Sequence, residues 1–338
     1  MKQQMLPTPT RSAFGAAFRR ALSFGLLLFT FSLATGAPPV KPAVSSALNP
    51  GDIVRSDAGN VMQGPFILKV NPQTGAETIL AQGGYLAAAG RPMGVVCDHA
   101  GQIIVANQAS LLRIDPQTGA QTLIRDASGA PGGFWSLAVE SDGNVLVAAE
   151  SAILRVNPTT GDMQTVSSGG QLNATLSLAL GSKIYATSVR YEAGLGWVGS
   201  IVRVDPKTGK QTVVAEGGDL GFLLGIAVQG DDIFVTGVKG HDDNFGIGQV
   251  VHVDARRGTQ TVISQGGFLM RPMGISVDND NQLVVADPYT INPESANLFD
   301  GAIIRINPAT GGQTLVSRGH DSCVDPSALT VVMAPKGH

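Results

Sequence analysis

One fourteen-residue unit recurs along the chain, and it restricts the fold more than any other feature. Ile303 to Val316 reads IIRINPATGGQTLV, and the pattern returns as ILKVNPQTGAETIL from Ile67, LLRIDPQTGAQTLI from Leu111, ILRVNPTTGDMQTV from Ile153, IVRVDPKTGKQTVV from Ile201 and VVHVDARRGTQTVI from Val250. Each copy sets two short β-branched runs around Asx-Pro-x-Thr-Gly, or Asp-Ala-Arg-Arg-Gly in the copy from Val250. Proline presets φ for a turn and glycine accepts the positive φ that closes a bulged hairpin. The turn glycines Gly75, Gly119, Gly161, Gly209, Gly258 and Gly311 lie 44, 42, 48, 49 and 53 residues apart. That is the period of a four-stranded propeller blade.

After each hairpin come a glycine-containing loop, an apolar run, a turn and a second apolar run, as in PMGISV, DNDN and QLVVAD from Pro272 to Asp287. The strands of a blade are lettered a (innermost), b, c and d (outermost). Inner strands are expected at 92–97, 134–139, 175–180, 224–228, 273–277 and 327–332. The last has no b strand after it, whereas Asp52 to Asp57 is a b strand with no a strand before it. The expectation is an all-β, six-bladed β-propeller of four-stranded blades, closed by pairing the N-terminal strand with the C-terminal inner strand. Closure removes two open sheet edges and an unburied blade face.

Residues 1–20 hold Lys2, Arg11, Arg19 and Arg20, an apolar run from Ala21 to Ala34 follows, and Thr35-Gly36-Ala37 fits a cleavage site. Residues 1–37 therefore read as an export signal, 38–50 as an extended lead-in, 51–334 as the propeller and 335–338 as a tail. The protein is expected to be exported, periplasmic or extracellular. The apolar run is shorter than the ~20 residues of a spanning helix, so no stable membrane span should remain after cleavage. Subtracting those four from 23 basic residues leaves 19 against 26 acidic ones, a formal −7. A nucleic-acid partner is not expected. Cys97 and Cys323 fall on opposite faces, too far apart to be bridged. No G-x-S-x-G elbow, Walker loop or HExxH helix occurs.

The order P-x-G-I-x-V-D, L-V-V-A-D and I-x-R-V/I-D/N resembles the NHL-repeat propellers, and more loosely the senescence-marker-protein/gluconolactonase and streptogramin B lyase groups. The resemblance runs from about Asp52 to Met333 and implies fold more than activity. In the gluconolactonase-like group it implies a divalent metal held partly by Asn or Asp at the start of the a strands. Here those positions are Met93 and Met273, with Ser136, Ser177, Leu224 and Ser327 in the less regular copies. A thioether or aliphatic chain cannot replace a hard oxygen ligand, so the a-strand positions do not support a divalent cation and no cofactor is expected. Asp278 to Gln282 lacks the glycine and distal Glu of a calcium loop. The streptogramin lyases resemble seven-bladed rings with a catalytic His, and no His is aligned on an a or b strand here.

With strand a running from top to bottom, the b–c and d–a loops emerge on the top face. The b–c connections are short in two blades but long at 187–200, 237–249 and 287–302. Three consecutive blades should thus raise a wall of loops over the channel mouth. It carries Arg190, Tyr191, Glu192, Trp197, His241, Asp242, Asp243, Asp287 and Tyr289. Aromatic faces beside carboxylates suit a sugar, a small polar molecule or a peptide segment; the same loops could instead pack on one another. His241, Asp242 and His320 are candidates for a general base with its orienting carboxylate, or they are surface turns. Arg91 and Arg271 precede equivalent prolines, where they could reach an anionic ligand or tie down loops. The third residue of every c strand is basic, and these cations read as solvated or edge-protecting. The reading is an exported monomer that binds a small polar ligand or a protein partner through its top face. A lactone hydrolase or lyase with a rebuilt site is the alternative, and a structural module of the cell surface is a third reading.

Overall fold

The computed structural model describes residues 47–59, 64–88, 90–240, 246–290, 301–318 and 325–334. Their strands form six four-stranded antiparallel sheets. Blade 1 is β24 (Pro326–Val331), β1 (Ile53–Asp57), β2 (Phe66–Val70) and β3 (Glu77–Gln82), from inside outward. Blade 2 runs β4 (Gly94–Cys97), β5 (Ile103–Asn107), β6 (Ser110–Ile114), β7 (Gln121–Asp126), and blade 3 runs β8 (Ser136–Val139), β9 (Val145–Ala149), β10 (Ala152–Val156), β11 (Met163–Ser168). Blade 4 holds β12 (Leu178–Leu180), β13 (Ile184–Glu192), β14 (Gly196–Val204) and β15 (Gln211–Glu216). Blade 5 holds β16 (Phe222–Gln229), β17 (Asp232–Lys239), β18 (Ile247–Asp254) and β19 (Gln260–Gln265). Blade 6 holds β20 (Gly274–Val277), β21 (Leu283–Asp287), β22 (Ala302–Ile306) and β23 (Gln313–Arg318). A single helical turn, α1 (Gly84–Ala88), links blades 1 and 2.

Each inner strand touches the next, from β24 through β4, β8, β12, β16 and β20 back to β24. Within blade 1, β1 pairs with β24 from Ile53↔Val331 to Asp57↔Pro326, so the two ends of the chain share one sheet. The cores lie between blades. Ile104 and Ala106 pack with Val145 and Val147 of blade 3, while Ile103 and Val105 face Val54 and Ile67 of blade 1. A b strand is thus buried on both sides, which is why these runs are apolar at every position rather than alternating.

The repeated turn is held by its Asx residue. Asp205 Oδ1 accepts the N–H groups of Lys207 and Thr208 at 3.0 and 2.9 Å, and Asn157, Asp115 and Asn71 do the same in their blades. Gly209 closes the turn at φ 70°. The bulge is not at this turn but at the other end of the hairpin: in blade 3 the register shifts between Ile153 and Leu154, leaving Val166 as the extra residue of the d strand. That bulge meets the turn of the next blade. A Cβ on Gly161 would stand 2.9 Å from the Ile124 carbonyl oxygen, and one on Gly209, Gly258, Gly311 or Gly75 would come closer still to Val166, Val214, Ile263 or Val316. Each of these carbonyls belongs to the bulge residue of the preceding blade.

A glutamine adds a second junction. Gln211 accepts from Gln171 N at 2.7 Å and donates to Ser167 Oγ and Gly169 O at 2.9 and 3.1 Å, bracketing the end of the preceding d strand. Gln313 does the same to Phe268 N, Ser264 Oγ and Gly266 O, and Gln121 to Leu86 N, Gln82 O and Gly83 O.

Two expectations need correction. The long b–c connections of blades 4 and 5 are not irregular loops: β13–β14 continues upward as a two-stranded ribbon paired as far as Glu192↔Gly196, and in blade 5 β17–β18 stays paired as far as Lys239↔Ile247, with β16 alongside up to Phe222↔Val238. Five of the six basic residues of the c strands are also not free edge charges. Arg155 bonds Glu140 at 2.5 and 2.7 Å and reaches Pro206 O of the next blade, and Arg305 pairs with Asp278 at 3.2 Å.

The junction geometry makes a prediction. Gly230 also has positive φ but open space around it, so Gly230→Ala should cost ~1 kcal/mol of left-handed strain. Gly209→Ala should cost that and the displacement of a packed carbonyl, ~3 kcal/mol in all. Urea denaturation of both variants measures the difference; equal losses would mean that the glycine serves its own turn alone.

Candidate functional site

On the top face, the residue before the inner-strand proline is charged in three blades: Arg271 before Pro272, Asp325 before Pro326 and Arg91 before Pro92. These are blades 6, 1 and 2, so ring order sets Arg, Asp and Arg side by side at the channel mouth. The Arg91 guanidinium forms an ion pair with the Asp325 carboxylate; Arg91 is half exposed and Asp325 mostly covered. Below them lies Asp57, fully buried, whose carboxylate accepts the Asp325 and Gly59 N–H groups at 3.2 and 2.7 Å. Arg55 joins Asp57 at 2.5 Å to Glu77 at 2.8 Å. Burial opposes the Arg55 charge, but the two carboxylates outweigh it and hold the group above its ordinary value. Burial also raises the Asp325 carboxyl; Arg91 and Arg271 lower it and Asp57 raises it further.

Arg271 lies over the Tyr289 ring, 5.7 Å from its centroid, and Tyr289 is partly exposed. Asp287 is not open to a ligand. It is fully buried and accepts the N–H groups of Met270, Arg271 and Tyr289 at 2.7, 2.8 and 2.9 Å, fixing the loop that leads into β20. Burial pushes its carboxyl up to about 6, against the pull of those three donors. Asn107 in blade 2 does the corresponding work, donating to the Tyr85 and Leu86 carbonyls at 3.2 Å.

The other candidates sit across the ring on the blade 4 ribbon. Arg190 is closed into ion pairs with Glu192 at 2.6 Å and with both oxygens of Glu216 at 2.7 and 3.0 Å. Trp197 is 8% exposed, edge-on to Tyr191 at 5.5 Å and to Phe222 of blade 5 at 4.9 Å. Its indole is part of the packing rather than a loop tip, because ribbon pairing turns Tyr191 and Trp197 to one face. The exposed apolar side chains here are Tyr191, Leu195 at the ribbon tip, at 65%, and Ile247 on the blade 5 ribbon, at 56%.

His241, Asp242, Asp243 and His320 lie outside the described residues, as does Cys323. Among the described residues no group of three or more His, Cys, Asp or Glu is arranged to hold a metal ion. At the inner-strand starts, Ser327 donates to Pro92 O at 2.6 Å and Ser136 approaches Ser177 at 3.4 Å, so these hydroxyls link neighbouring blades. Cys97 carries a free thiol that burial raises to about 12, far from reactive. Sequence reasoning missed Asp325 and Asp57. The signal for Asp325 was its place before Pro326, equivalent to Arg91 before Pro92.

No family model matches the chain, and no curated protein matches it. Solved structures do, in 755 chains. One is a chain of the crystal structure of a nidogen/laminin complex, with a TM-score of 0.62 and 11% identity over 83% of this chain and 98% of that one. At that identity the likeness establishes the propeller fold and nothing finer.

Two measurements test this geometry. Trp197→Ala should lower stability by ~3 kcal/mol, read by urea denaturation, because it empties a packed aromatic site between two blades. The Asp287 carboxyl carbon should titrate in NMR with a midpoint near 6 rather than the usual ~3.9. Since the folded protein then binds this proton more tightly than the unfolded chain, the group's contribution is complete below pH ~4 and is lost as pH rises through about 6. A midpoint near 4 would show that the three N–H donors fully offset burial.

Proposed function

We propose that the ring is an exported binding module that takes a partner protein across its top face. The observation that carries this reading is the pairing of two unlike surfaces over one channel mouth. Blade 4 stands opposite blade 1 and blade 5 opposite blade 2, so the extensions that expose Leu195, Ile247 and Tyr191 rise across the mouth from the Arg91–Asp325–Arg271 arc. Exposed apolar and aromatic groups beside arginine, on rigid supports, are the makings of a protein interface. The similar solved propeller comes from a structure of a complex between two proteins, which agrees with this use of the fold. Export rests on the signal-like residues 1–37.

A second reading has one observation in its favour. Asp325 is a carboxyl with a raised pKa at the channel mouth beside Arg91 and Arg271, and such groups serve as general acids or bases in hydrolases and lyases. Asp325→Asn would then abolish turnover of a lactone substrate without changing the affinity for a protein.

The interface is tested with Leu195→Asp/Ile247→Asp. Both positions are exposed, so stability should stay within ~0.5 kcal/mol of the wild type. Partners cross-linked to the wild-type protein in its own compartment should be lost with the double variant and with Arg91→Glu. Undiminished capture by both variants would place the interface elsewhere and end this reading.

A further inference from the structure

The third residue of every repeated unit is Lys, Arg or His, and in four blades a carboxylate at the foot of strands a and b answers it. Lys69 faces Asp52 at 3.8 Å, Arg155 faces Glu140 at 2.5 Å, His252 faces Asp232 at 2.7 Å and Arg305 faces Asp278 at 3.2 Å. In blade 2, Arg113 instead donates to the Pro158 carbonyl of the next blade at 3.1 Å. Blade 4 breaks the rule at both acid positions. The a–b register places Gly181 where blades 3 and 6 have Glu140 and Asp278, and Lys183 where blades 1 and 5 have Asp52 and Asp232. Nor does Arg203 bond the Ala255 carbonyl of the next turn, the counterpart of Pro158 and Pro206, among the described residues. Arg203 is therefore left half-buried with no hydrogen-bond or ion-pair partner among the described residues.

It lies in a hollow of about 460 Å³ on the bottom face, between blades 4 and 5. Lys183, Lys210 and Arg256 also line it. Lys183 is taken by Asp205 at 2.6 Å and Arg256 by Asp231 at 2.5 Å. The Lys210 ammonium, like Arg203, has no partner among the described residues. Two positive charges thus remain uncompensated in a chain whose formal net charge is −3. Tyr185 and Thr212 are the cross-strand neighbours of Arg203, so their side chains stand on its face of the sheet, and both line the hollow.

We propose that this hollow binds a tetrahedral oxyanion, a phosphate or sulfate group, on Arg203 and Lys210, with Tyr185 and Thr212 as hydroxyl donors. A guanidinium offers two parallel N–H groups that match such an anion, and the ammonium adds a point charge. Partial burial strengthens the Arg203 interaction relative to open water, while Lys210 reaches the anion from an exposed position. The site is independent of the top face, since it is built from the turns at the opposite end of the blades.

The test is calorimetric titration of the full chain with inorganic phosphate and inorganic sulfate at low ionic strength. Both should bind, and Arg203→Gln and Lys210→Gln should each weaken them roughly tenfold or more, as loss of one charge-assisted hydrogen bond requires. Lys207→Gln, which removes an exposed cation from the same turn but outside the hollow, should keep wild-type affinity. Because Arg203 has no partner among the described residues, its variant should melt with the wild type, whereas Arg155→Gln should melt lower. Glucose 6-phosphate and glucose 6-sulfate distinguish the sources: tighter binding of the esters assigns the site to an esterified group, tighter binding of the free ions to the ions themselves. Absence of binding at millimolar anion would overturn the site. So would equal weakening by Lys207→Gln, which would mean diffuse attraction, or an Arg203→Gln melting temperature as low as that of Arg155→Gln, which would make Arg203 a structural cation.

Discussion

The ring depends on how one blade meets the next. A β-bulge turns one carbonyl of the outer strand out of the ladder, and at five of the six junctions the glycine of the following hairpin lies directly against it. Any side chain at that glycine would force the blades apart, so it is required twice, by its own positive φ and by its neighbour's backbone. The contact also occurs across the closure, where Gly75 of blade 1 meets Val316 of blade 6. A ring closes only if every step has the same geometry, and a backbone-to-backbone contact repeats more faithfully than one between variable side chains. The glutamine brackets then tie the same outer strands at a second point, which fixes an angle as well as a distance.

The fold was legible because a six-fold repeat constrains each copy by the other five. The period gave the blade, and the unmatched strands at the two ends gave the closure. Less could be read where a blade departs from its siblings. The stretch from Ser188 to Gly199 contains Arg, Glu and three glycines and reads as a loop, yet Arg190 pairs with Val198 and Tyr191 with Trp197 across a regular ladder. What makes it a ribbon is tertiary: Trp197 packs on Phe222 of the next blade, and Gly199 N–H donates to Leu220 O at 2.8 Å. Neither partner is adjacent in sequence. Asp57 and Asp325 were missed for a related reason, since they are 268 residues apart and meet only because the chain ends do.

Charge is distributed with the same economy. Nearly every buried or half-buried cation is answered by an acid on its own blade, as Arg155 is by Glu140, or by a carbonyl on the next, as Arg113 is by Pro158. The Asp287 carboxyl serves backbone N–H groups and leaves its neighbour Arg271 to stack on Tyr289. Against that background a candidate residue means little by its type and much by its partners. Arg190 and Asp287 have the right chemistry for a ligand but are fully engaged, whereas Arg203, which sequence alone grouped with five other basic residues as solvated or edge-protecting, is the one of the six left without an answer among the described residues.

Rigidity connects these points to binding. The extensions of blades 4 and 5 are paired along their length, and Trp197 of the first packs on Phe222 of β16, the strand beside the second, so Leu195 and Ile247 are exposed on paired supports. On the far side of the mouth, Asp325 is fixed by its N–H to Asp57, which Arg55, itself held by Glu77, supports from beneath. Ordering a loop or a long side chain on association costs roughly 0.5–1.5 kcal/mol for each group immobilised. Here much of that ordering is already done by folding. A partner spanning the mouth would meet surfaces whose spacing is set by blade geometry, and changes at the tips could alter what is bound while leaving the ring intact.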